Sequence, residues 1–506
     1  MKTVIKVAAT GAMALALAAC GGPEQNTGVK DSLVVAQGAD AKTLDPHRTN
    51  DQPSSRIAAQ IYNQLVETDQ DMNIIPGLAE SWTNVDALTT DFKLREGVMF
   101  HNGEEMKASD VKFTFDRMIA SPTVAHITNA IDTVEILDEY TIRITTKAPF
   151  APLLYHLTHT ASSILSEKAV TEFGSDYGQN PVGTGPYKFI DWAAGDRINL
   201  RAFGDFYEGK QVIENVTFRN IVEGTNRAIA LETGEVDISY DISPIDKDNI
   251  ANKAGLKLIE EEALSTSYYG INVTKAPFDN LKVRQAVAYA INTDDIIDAV
   301  AMGAGRASNS PIGPKVFGYS PDAKLYKQNI EKAKQLMAES GVATPINTTI
   351  WTNDNPGRIQ IAQIMQAQLR EIGINMSIEV LEWGAFLDGI SRGDHDTFMF
   401  GWVTVTGDAD YGLYALFHSD THGGAGNRSF YSNPHVDKLL ELGRTSTDSE
   451  QRLAAYSELQ ALLQEEVPTV SLYSQFHNVG MKDNIGGFQL APAGHHKLKG
   501  VYFVEG

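Results

Sequence analysis

The sequence predicts an α/β protein of two or three domains, and three observations carry that expectation. The first is a β-α-β-α-β run between residues 346 and 403. The second is length: 506 residues exceed what one hydrophobic core organises, so two or three domains are expected. The third is an ordinary globular composition, 42% hydrophobic and 21% charged.

The run is read from its periodicities. Residues 346–351 (INTTIW) form a short apolar strand followed by the polar Thr352, Asn353, Asp354 and Asn355. Ile361, Ile364, Met365, Leu369 and Ile372 then recur at helical spacing, and Gly373 stops the helix. Residues 374–381 (INMSIEVL) alternate as a strand, Trp383 opens a second short helix, and 397–400 (TFMF) read as a buried strand. Helical crossovers predict three parallel strands with their carboxyl ends on one edge. Three of the chain's five tryptophans, Trp351, Trp383 and Trp402, fall at or just past those ends. That edge is where open α/β sheets place ligands, so an aromatic-walled cleft is expected there.

Other elements follow in chain order. Met1 to Cys20 has Lys2 and Lys6, an apolar stretch too short to span a bilayer, and Leu17-Ala18-Ala19-Cys20 at its end. It resembles a bacterial lipoprotein signal peptide, with Cys20, the only cysteine, as the lipidation site; 21–29 is a tether. Leu33 begins a first strand, Asn102-Gly103 marks a turn, and Ser109 is a candidate helix cap. Pro181, Gly183, Gly185 and Pro186 exclude a continuous element and mark a chain crossing. Asp448 caps a helix carrying Leu453, Tyr456, Leu459 and Leu463, which stops before Pro468.

Several functions are disfavoured. A formal charge of −22 repels phosphates, so no nucleic-acid partner is expected. There is no His-Glu-x-x-His and no Gly-x-Ser-x-Gly, and the loop-like 204–211 ends in Gln211 where a phosphate loop needs a hydroxyl. No enzyme activity, cofactor or metal site is expected; His418 and His422 at helical spacing leave a nickel or heme role open. A secreted hydrolase is the alternative of a different class.

The motifs GLAESW (77–82), FKLREGVMFHNG (92–103), ASDVKFT (108–114), NPVGTGPY (180–187), APFD (276–279), VRQAVAYAI (283–291), SPI (310–312) and YSNP (431–434) resemble the family 5 extracellular solute-binding proteins of ABC importers. The resemblance implies a type II periplasmic-binding-protein-like fold with two lobes, a two-crossing hinge and an inserted domain. Its division would be 30–73, 186–267 and 478–506 in lobe I, 74–185 in the insert, and 268–477 in lobe III. The crossings would lie near 268–273 and 476–479. It further implies a lipid-anchored monomer outside the cytoplasmic membrane that hands a peptide or peptide-like solute to a membrane permease. Receptors for nickel chelates or sugars share the fold.

Peptide binders of this family carry an aspartate shortly after Gly-Trp; the matching position here is Val405. Thr352 stands near the place of the arginine that holds dipeptide carboxylates. Thr406-Gly407-Asp408-Ala409-Asp410 with 413–417 resembles the glutathione-binding branch. The implied ligand set is Trp351, Asn353, Trp383, Trp402, Thr404, Thr406, Asp408, Asp410, Asn427 and Arg428. Asp408 or Asp410 would take an ammonium, and Arg428 a carboxylate.

Overall fold

The computed structural model describes residues 30–504 other than 50, 424 and 425, and the side chain of residue 126 is also excluded. The leader and Cys20 lie outside the described residues.

One mixed sheet of 11 strands runs through the molecule. Its organising strand is β1 (Leu256–Ile271), 16 residues long. The predicted run supplies β2 (Ile346–Asn353), α1 (Pro356–Arg370), β3 (Ile374–Leu381), α2 (Trp383–Arg392) and β4 (Thr397–Val403). The last long strand is β5 (Thr469–Lys482). The order from one edge is β3, β2, β4, β1, β5, then Ile238–Tyr240, Ser32–Gln37, Asn215–Asn220, Arg197–Ala202 and Tyr187–Ala193; Gly305–Ala307 also pairs with β5.

β2 is parallel to β3 from Ile346↔Ile374 to Asn353↔Leu381, and parallel to β4 at Ile350↔Thr397 and Trp351↔Phe398, as the crossover helices require. The helices start and stop where the sequence directs. Asn355 accepts from Arg358 N and Pro356 opens α1, while Glu382 accepts from Ala385 N ahead of α2. Gly393 ends α2 at φ 78°, a left-handed conformation that costs glycine nothing. Asp448 caps its helix as expected. Ser109 does not: that helix begins at Ala108, and the Asp110 carboxylate accepts from the Lys107 backbone N–H at 3.1 Å.

Separate cores flank the long strands and define the two lobes of a type II fold. One gathers Tyr269, Val287, Ile350, Met365 and Met399; another gathers Val35, Ile57, Val216, Ile238 and Val479. A four-stranded antiparallel sheet spanning Ala79–Asn84, Thr89–Leu94, Ile131–Asp138 and Thr141–Thr146 has its own core around Phe92, Phe115 and Ile142. β1 and β5 are antiparallel along most of their lengths, with a register break between Glu262 and Thr266, opposite Phe476 and Ser474. The break falls earlier in β1 than the sequence reading of 268–273. Tyr268 to Ile271 pair with β4, and through Gly270 with β5 as well, so they are held within one lobe's sheet.

Candidate functional site

The carboxyl ends of β2, β3 and β4 share one edge, and Val403 at the end of β4 pairs with Ser265 beside the register break. The edge therefore sits where the lobes meet. An aromatic shelf is built on it. Trp383, the first residue of α2 and 42% exposed, lies parallel to Phe400 with ring centroids 5.9 Å apart and 13° between planes. The Arg358 guanidinium, in the first turn of α1, lies 5.2 Å from the Phe400 centroid and 5.6 Å from that of Trp383. The Arg428 guanidinium lies 5.0 Å from the Phe400 centroid. Two cations thus share one ring.

Neither cation has an acid among the described residues. Arg358 donates to Asn353 Oδ1 at 2.9 Å and makes no ion pair among the described residues. Arg428 is 7% exposed, its Nε is buried and unpaired, and its guanidinium has no hydrogen-bond partner among the described residues. Burial lowers the pKa of both guanidinium groups; Tyr268 raises both slightly and Tyr473 raises that of Arg358. Desolvated charge is normally paired, since an isolated ion in low dielectric is costly. In a chain with 64 acidic residues, two unpaired arginines at one sheet edge point to an anion from outside.

The aspartates assigned to an ammonium are otherwise engaged. Asp408 is fully buried and both its oxygens accept from Arg452 Nη2, at 2.8 and 2.7 Å; Oδ1 also accepts from Asp410 N. Asp410 accepts from Arg444 Nε at 2.8 Å and Nη2 at 3.1 Å, with His156 Nε2 3.8 Å away. Burial raises the Asp410 pKa, but His156 and Arg444 more than offset it and hold it below the usual carboxylate range. Neither carboxylate is a free anion, so the sequence expectation is corrected: local sequence shows the acid but not its distant arginine.

The remaining candidates divide. Asn353 positions Arg358. Trp402 lies beside Tyr411 at 5.8 Å, and Trp402 Nε1, Thr404 Oγ1 and Thr352 Oγ1 are buried without hydrogen-bond partners among the described residues. Trp351 packs its ring under α2 at Gly389, where a side chain would collide with it. Thr406 accepts from Asp408 N, and Asn427 donates to the carbonyls of His418 and Tyr431, so both hold loops together. His418 and His422 share no helix: His418 Nδ1 accepts from Asp420 N, and His422 Nε2 lies 2.8 Å from the Tyr431 carbonyl. Sequence reasoning missed Arg358 and Phe400. A signal for Arg358 was present, because a cation in a first helical turn is disfavoured by the helix dipole.

The lobes touch along a seam near this edge. Met72 sits at the tip of the hairpin formed by Val66–Thr68 and Ile74–Pro76. It is 5% exposed and packs into the core containing Tyr268, Phe400, Leu413 and Phe417. Gly407 makes room: a Cβ there would stand 2.5 Å from Met72 Cε. Met72 has φ 65°, a left-handed conformation unfavourable for methionine. Along the same seam Ala151 N donates to Arg444 O at 2.8 Å, and Tyr155 stacks on Phe317 at 6.3 Å. Beside it lies a cavity of about 470 Å³, lined by Asp69, Asp71, His159, His495 and Lys497, with Val405 from the opposite lobe.

Comparison with known proteins agrees with this geometry. The chain is 32% identical over 475 residues, 91% of each chain, to the glutathione-binding protein GsiB of Pectobacterium atrosepticum. Its fold matches HbpA2 of Haemophilus parasuis with a TM-score of 0.85 at 28% identity, covering 94% of this chain and 100% of that one. It matches the periplasmic binding protein DppA of Helicobacter pylori, solved with the peptide STSA, with a TM-score of 0.81 at 30% identity, covering 94% and 99%. Residues 73–424 match the model of the bacterial extracellular solute-binding proteins, family 5, middle region. With two lobes, long strands through both and a cleft edge of aromatics and unpaired cations, the chain belongs to the bacterial extracellular solute-binding proteins of family 5.

Proposed function

We propose that this chain is the extracytoplasmic substrate-binding lipoprotein of an ABC importer. It takes a small peptide or peptide-like solute, an oligopeptide, dipeptide or glutathione, between its lobes and delivers it unchanged to a membrane permease. The observation that carries this reading is the aromatic shelf with two arginines lacking acids at the sheet edge where the lobes meet. Such a shelf binds the carboxylate of a peptide-like solute, while strand-end backbone groups pair with its amides. With Asp408 and Asp410 held by arginines and the cavity's Glu67 paired with Lys497, the carboxylates facing the cavity that could meet an ammonium are those of Asp69 and Asp71. The chain works as a monomer tethered through lipidated Cys20 and carries no catalytic step.

Mass spectrometry of a peptide mixture before and after incubation with the protein tests the reading. A receptor retains a solute intact; a mixture left untouched with nothing retained, or peptides consumed, overturns it. Cys20→Ser should move the body from the membrane to the soluble fraction, and a variant that still sediments with membranes refutes the anchor.

A further inference from the structure

We infer that Arg358 and Arg428 each hold one carboxylate, so that the cleft selects solutes carrying two separated carboxylates over those carrying one. The inference rests on the peptide-like reading but goes further, because a simple dipeptide offers one carboxylate and would leave one cation bare.

The two guanidinium groups are not redundant. Both lie close to the Phe400 centroid, at 5.2 and 5.0 Å, so they flank one side chain. They come from different elements, the first turn of α1 and the loop after 426, so each is positioned independently. Among the described residues, only Arg358 has a protein acceptor, and that acceptor is the neutral Asn353. Arg428 is more than nine-tenths buried with no acceptor among the described residues. Burying one guanidinium without a counterion is unfavourable, and burying two beside one ring compounds the cost by mutual repulsion. One carboxylate neutralises one of them. Two carboxylates on one solute neutralise both, and the planar fork of each arginine suits a bidentate carboxylate. The N-terminus of α1 adds positive potential at Arg358.

The structure also indicates what loss of either arginine does to the protein itself. Neither makes an ion pair among the described residues, so apart from their contacts with the Phe400 and Trp383 rings and Asn353 neither is held by a partner charge. Arg358→Gln and Arg428→Gln should melt at or above the wild-type temperature, since each removes an uncompensated charge. An arginine with a structural role would lower it.

The test is calorimetric titration of the full chain and both variants. The solutes are glutathione, its two monoamides (each lacking one carboxylate), Ala-Ala, the non-peptide diacid adipate and inorganic phosphate. Wild type should bind glutathione at least 30-fold more tightly than either monoamide, on the scale seen when one partner of a buried charge pair is removed. Each Gln variant should lose that discrimination toward one monoamide only, and toward a different one in each variant. Equal binding of diacid and monoamides by wild type overturns the inference, as does unchanged discrimination in both variants. Phosphate competing with glutathione and weakened by both substitutions also overturns it, because a single anion would then bridge the two cations. If no peptide binds but adipate binds and is weakened by each substitution, the two-carboxylate site stands and the peptide reading falls. If nothing in the panel binds, both fall.

Discussion

Replacing Met72 tests how the lobes are held together. Its side chain is 5% exposed and lies in the core of the opposite lobe, seated against Gly407. Opening the cleft withdraws it into water. Burying a methionine side chain is worth about 1.5–3 kcal/mol, and an alanine in its place recovers only a small part of that. Met72→Ala should therefore weaken closure by about 2 kcal/mol, on the order of 30-fold in the closed-to-open ratio. If solute lies between the lobes as proposed, it contacts both only when they are closed, and affinity should fall by a similar factor wherever the open form predominates without solute. Folding stability should change little or rise with Met72→Gly, which keeps φ 65° without the steric cost. Small-angle scattering of each variant, with and without the retained solute, gives the radius, and titration gives the affinity. A Met72→Ala protein with wild-type radius and wild-type affinity refutes the claim that this side chain holds the seam.

Other tests address the buried charges. Arg452→Met strands the Asp408 carboxylate in a fully buried site and should cost about 3–5 kcal/mol of stability, whereas Arg452→Met with Asp408→Asn should recover much of it; thermal melts decide, and a single variant as stable as wild type refutes the structural role. Asp410 and Arg444 meet His156 on the other side of the seam, so Asp410→Asn should loosen closure and leave solute contacts intact, seen as a larger radius in scattering. Acid should unfold the protein early. Burial lowers the pKa of His47 and of His395 from 6.5 to about 4. The unfolded chain takes up those protons first, so their contribution is whole above about pH 6.5 and is lost as pH falls toward 4. The loss is about 2 kcal/mol per histidine at pH 5. Denaturant titrations at pH 7 and pH 5 should differ accordingly, and His395→Gln should flatten the difference.

Much of the cleft's framework was legible from residues close in sequence. Apolar spacing along 346–403, with Asn355-Pro356 and Gly393 as punctuation, specifies strands, helices and their parallel order, because helix and strand periods are local properties. The same reasoning put Trp383 and Trp402 at strand ends and flagged Arg428. It failed where the deciding partner lies far along the chain. Asp408 reads as a free acid until Arg452, 44 residues later, closes on it, and Asp410 until Arg444, 34 residues later, does the same.

The sequence by itself determined the fold class, the parallel unit and the common edge at which its strands end, since these follow from local periodicity and the handedness of crossovers. The tertiary structure alone decided which charges are paired within the protein and which stay without an acid among the described residues. It paired both aspartates, left Arg358 and Arg428 without acids around Phe400, and drove Met72 from one lobe into the core of the other. Pairing and burial depend on distances between segments remote in sequence, and no local pattern encodes those distances.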